Sequence, residues 1–80
     1  MYSTELIRKL PDYPDQPILF VVYNDDMVDD AEFYIATLRG QDYLDKHVTV
    51  VPLNTKVDDV RKYAVYIDPM VYKYQHSWND

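Results

Sequence analysis

Eighty residues with a net charge of −6 and no cysteine allow one small domain, whose folding buries only about 60–65% of the chain's surface. With 48% of residues apolar or aromatic and nine tyrosines, a core is possible, but disulfides and thiolate metal sites are excluded. The acid is almost all aspartate, twelve Asp against two Glu; such a field disfavours direct DNA or RNA binding and favours basic protein surfaces and metal cations. Met1-Tyr2-Ser3-Thr4-Glu5 has no basic segment leading into an apolar one, and the longest apolar run is seven residues, against the ~20 needed to span a bilayer. The expectation is a cytoplasmic chain with no membrane segment.

Ser3 is placed to cap a short helix through Leu10, with Leu6 and Leu10 on one face and Arg8 and Lys9 at its C-terminal end. Pro11, Pro14 and Pro17 make Pro11–Gln16 a stiff connector. Ile18–Tyr23 reads as a strand, and its lack of alternation predicts burial on both faces, as in a central parallel strand. Asp25 or Asp26 can cap the next helix, Met27–Arg39, whose Val28, Ala31, Ile35 and Leu38 fall at helical spacing before the stop at Gly40. His47–Leu53 predicts a second strand, Asn54 or Thr55 to Lys62 a third helix, and Ala64–Asp68 a third strand stopped by Pro69. Met70–Asp80 alternates well enough for a fourth, edge strand. The fold class is therefore a single α/β domain over residues 1–80, α-β-α-β-α-β plus an aromatic tail. Its sheet has three or four mainly parallel strands flanked by helices.

Parallel strands bind ligands beyond their carboxyl ends, and these ends carry Asn24, Asp25, Asp26, then Asn54 and Thr55, then Asp68. An apolar strand ending in paired acids (FVVYNDD) and a later one ending in Asp-Pro-Met (VYIDPM), with Asp26 and Asp68 42 residues apart, resemble the first half of a response-regulator receiver domain. That resemblance implies Asp25 and Asp26 as ligands of Mg²⁺ and Asp68 as phospho-acceptor. Local chemistry gives the same residues a simpler role, since Asp is favoured at helix caps and turns. A nucleotide site is disfavoured: no glycine follows the first strand, and Asp25 and Asp26 would repel a phosphate. His47 and His76 lie far apart in sequence, and neither has an evident nucleophile and orienting group, so no enzyme is expected.

Tyr13, Tyr43, Tyr72, Tyr74 and Trp78 fall in expected loops or the tail. Such side chains provide large contact area at low entropic cost. Beside the acids Asp25, Asp26, Asp29 and Asp30, the aromatics Tyr72, Tyr74 and Trp78 suit docking on a basic protein partner. In composition, with MYSTELIRKL opening directly into the domain and YKYQHSWND as its tail, the chain resembles the small acidic accessory proteins of bacteriophages. This implies an inhibitor or modulator that occludes a host protein. The reading that follows is a non-enzymatic protein-binding module without a cofactor, able to form a homodimer through a sheet edge or the tail. Its alternatives are a degenerate receiver-like Mg²⁺-binding domain and a DNA mimic, whose acids at about 5–7 Å spacing imitate a phosphate backbone.

Overall fold

The computed structural model describes residues 4–72. A short helix, α1 (Thr4–Arg8), leads through an irregular segment to strand β1 (Ile18–Val22). Two helices, α2 (Asp26–Arg39) and α3 (Gln41–His47), precede β2 (Val48–Pro52), and an irregular crossover then reaches β3 (Ala64–Ile67). The sheet is three-stranded in the order β2-β1-β3, and both pairings are parallel. Phe20 stands level with Val50 on one side and Tyr66 on the other. The Ala64 amide donates to the Pro17 carbonyl (2.8 Å) and the Asp68 amide to the Val21 carbonyl (2.9 Å), so the β1–β3 pairing extends one residue before β1 and one residue past β3. The sequence expectation of a small parallel α/β domain is met.

The uninterrupted apolar run of β1 has the reason expected for it. As the central strand, it buries Ile18, Leu19, Phe20 and Val22, whereas β2 alternates, with Val48 and Val50 buried and Thr49 exposed. Ile18, Phe20, Val22, Val48 and Val50 face a cluster formed with Ile7, Leu10, Ala31, Ile35 and Leu44, so all three helices cover the same side of the sheet. Burying a side chain such as Phe20 contributes about 1.5–3 kcal/mol.

Between α2 and α3 the chain needs one residue that other amino acids adopt poorly. Gly40 has φ 103° and ψ 150°, and its amide closes α2 on the Ala36 carbonyl at 2.9 Å. The helix that follows was not foreseen from sequence. At seven residues it is too short to persist alone and depends on packing against α2 and β2.

Two expected elements are corrected. Residues 54–62 form no α-helix; only a 3₁₀ turn, Val60–Lys62, appears. The β-branched Thr55, Val57 and Val60 and the acids Asp58 and Asp59 lower helical preference, and Asp59 takes a left-handed conformation (φ 55°) that no α-helix can contain. Residues 69–72 are helical rather than extended, which removes the edge strand there. The rest of that expected strand, with Tyr74 and Trp78, lies outside the described residues. Among the described residues no helix is long and apolar enough to cross a membrane.

Candidate functional site

Because the strands run the same way, their exits share one rim. A cleft of about 310 Å³ there is lined by Tyr23, Asn24 and Asp25 after β1 and by Leu53 and Asn54 after β2. Asn24 caps α2: its side-chain oxygen and its carbonyl both accept from the Met27 amide, at 3.2 and 3.1 Å. This corrects the expectation that Asp25 or Asp26 caps. Asp25 is already helical (φ −59°) and makes no capping bond, so both carboxylates remain exposed.

Asp68 ends differently. It is 1% exposed, one carboxylate oxygen accepts from the Met70 amide at 2.9 Å, and its carbonyl accepts from the Val71 amide at 2.9 Å. With Pro69 next, this is a helix start whose first residue needs no amide donor. The second oxygen, Oδ2, is buried without a hydrogen-bond partner among the described residues. Burial pushes the Asp68 carboxyl above the usual carboxylate range, and the Met70 amide only partly offsets this. Among the described residues no three acids or histidines stand close enough to hold a metal ion. The expected Mg²⁺ set of Asp25, Asp26 and Asp68 is therefore not assembled. The turn into 69–72 folds Asp68 inward, while Asp25 and Asp26 point to solvent.

A larger groove, about 510 Å³, opens between α2 and α3. Asp29, Glu32, Phe33 and Ala36 form one wall, Gln41, Leu44 and Asp45 the other, and Val48 lies at its end. Leu44 and Val48 are each 8% exposed and make an apolar floor. Phe33 stands 66% exposed, its ring edge-on to Tyr34 at 5.7 Å. Among the described residues, three carboxylates line the groove and no cationic side chain does. One of them, Asp45, accepts from the Gln41 side-chain amide at 2.9 Å, which holds it on the rim.

The walls are braced from outside. The Arg39 guanidinium pairs with Asp12, donates to the Arg8 carbonyl at 3.3 Å and lies over the Tyr43 ring, 4.8 Å from its centre. The Tyr43 hydroxyl in turn donates to the Pro11 carbonyl, and burial pushes its pKa up against the opposing influence of Arg39. His47 stacks edge-on against Tyr43 at 5.2 Å, the half-buried packing role open to it. The stiff connector and α3 are thus tied together through side chains distant in sequence.

Of the residues singled out for partner binding, Asp29 lines this groove, and Asp25, Asp26 and Asp30 are exposed on the first turns of α2. Tyr72 is 60% exposed; nothing brings it to the groove. Glu32, Phe33, Gln41, Leu44 and Asp45 were missed. One signal was available, since Phe33 lies off the Val28-Ala31-Ile35-Leu38 stripe and had to face outward. Comparison with family models, with curated proteins and with solved structures gives no match for this chain.

Proposed function

We propose that this chain is a non-enzymatic binding module whose α2–α3 groove takes a basic segment of a partner protein. The observation that carries the proposal is Phe33, a large apolar side chain left in solvent beside an apolar floor and three carboxylates. Acids at the rim orient and speed the approach of a positively charged surface, an effect that salt screens over about 8–10 Å. The aromatic anchors the docked state, because covering it removes apolar area from water. Asp25, Asp26 and Asp30 extend the negative field along α2 toward the same partner. Occlusion of the partner's own surface is then the mode of action, as a small phage-type inhibitor of a host protein would require.

The test is a peptide array in which each member combines Lys or Arg with one apolar residue, followed by NMR titration of the best binders. Amide shifts should concentrate at Asp29, Glu32, Phe33 and Leu44, and Phe33→Ala should weaken binding about tenfold or more. Shifts confined to other surfaces, or none across the array, would refute the groove. Binding that collapses in salt yet ignores Phe33→Ala would instead favour the DNA-mimic reading, in which charge spacing alone is recognised.

A further inference from the structure

A basic partner can present two different cations to the groove between α2 and α3, and the lining of that groove does not treat them alike. On α2, Asp29 stands three positions before Glu32 and four before Phe33, a spacing that makes both its neighbours, about 5–6 Å away between Cβ atoms. On the α3 wall, the Gln41 side-chain amide donates to Asp45 at 2.9 Å, which leaves the Gln41 side-chain oxygen as a further acceptor. The polar lining is thus three carboxylates and one amide oxygen. Beside them lie the Phe33 ring, 66% exposed, and the apolar floor of Leu44 and Val48.

An ammonium is a compact, strongly hydrated charge with three donors, and it gains less from a flat ring or a dry floor. A guanidinium is planar and more weakly hydrated, carries five donors in a fixed fork, and stacks on aromatic faces. It can direct donors toward acceptors on both walls while keeping one face on the ring. The chain itself shows the difference. The Arg39 guanidinium lies over the Tyr43 ring, 4.8 Å from its centre, and pairs with Asp12, its side chain only 14% exposed. Lys62 also stands over a ring, that of Tyr63 at 5.3 Å, yet it remains exposed. Ring and carboxylate together draw the guanidinium out of water.

We infer that the α2–α3 groove selects arginine over lysine in the partner segment. The guanidinium stacks on Phe33, and its N–H groups are divided among Asp29, Glu32 and Asp45. This preference rests on the docking of a basic segment there, as proposed above, and adds which cation enters. Lysine is still drawn by the three negative charges, so its affinity measures attraction without stacking.

NMR titration of the full chain with capped peptides Gly-Leu-Gly-X-Gly-Leu-Gly, X being arginine, lysine or citrulline, decides the matter. The arginine peptide should bind about three- to tenfold tighter than the lysine peptide, with amide shifts at Asp29, Glu32, Phe33 and Asp45. Citrulline, close to arginine in shape but uncharged, should bind about tenfold more weakly than arginine. Phe33→Leu removes the ring at an exposed position and keeps apolar bulk. With circular dichroism unchanged, it should bring the arginine and lysine affinities within about twofold of each other. Equal affinities in the parent chain overturn the inference and leave the groove as a site for any basic segment. An arginine preference that survives Phe33→Leu overturns it too, since selection then arises away from the ring. Methylguanidinium binding as tightly as the arginine peptide overturns a protein segment as the occupant. No shifts with any peptide up to about 5 mM overturn both this inference and the docking reading beneath it.

Discussion

The two faces of this sheet share the same three strands and differ in almost everything else. On one, Phe20 and its neighbours are sealed by three helices; on the other, among the described residues, no helix joins the crossover residues Leu53–Val60 beside Leu19 and Val21, and Val65 is half in water. The difference comes from the two crossovers. The first contains a 14-residue helix with Ala31, Ile35 and Leu38 on its inner face and a glycine elbow into a second helix. The return has β-branched residues and a left-handed Asp59 where a helix would need to continue. A sheet can thus be fixed in order and direction by one well-covered face while the other stays partly open to water.

The largest effect that would test this contrast is on the sealed side. Phe20→Ala should cost about 3–5 kcal/mol in urea unfolding, a large share of the ~5 kcal/mol or so available to a domain of this size. Val65→Lys, on the open side, should leave the unfolding midpoint nearly unchanged. Comparable losses from both would mean that the second face is as well packed as the first.

A smaller effect is expected at the elbow that lets two helices roof one face. Gly40→Ala should destabilise by about 1–2 kcal/mol through its positive φ alone, since a Cβ there meets nothing within 4 Å. An unchanged midpoint would show that the Arg39–Tyr43–Pro11 brace, rather than the glycine, sets the angle between α2 and α3.

The smallest shift concerns Asp68, where the sheet ends. Its folded-state pKa is raised by burial, so the group favours folding only while protonated, and that contribution is lost as pH rises through the carboxylate range. Asp68→Asn keeps an oxygen for the Met70 amide and removes the buried charge. Its stability relative to the parent should therefore grow from acid toward neutral pH, reaching on the order of 1 kcal/mol. Urea midpoints measured across that range would contradict this if the parent were the more stable at neutral pH.

These particulars show where reading a sequence stops. Ile18–Val22, Asp26–Arg39 and the break at Gly40 were legible because each is a short-range matter of apolar spacing and backbone freedom. The helix Gln41–His47 was not, because its support comes from Tyr43 reaching Pro11 and from Arg39 reaching Asp12 and Arg8, across 27 to 32 positions of chain. The candidate groove was half legible. The acids of α2 and an outward Phe33 follow from helical periodicity, but Leu44, Asp45 and Val48 join them only through the packing of α3. Asn24 rather than Asp25 became the cap because the helix begins one residue earlier than the acids suggest.

By itself the sequence determined an apolar central strand, a strong acidic helix and three ribs running the same way, since periodicity and crossover length act locally and leave few topologies. Tertiary structure alone decided that Asp68 turns inward, that the return crossover does not coil, and that Phe33 faces a walled groove. Each of those outcomes depends on which distant residues occupy the same space, and on the free energy of burying or exposing them there.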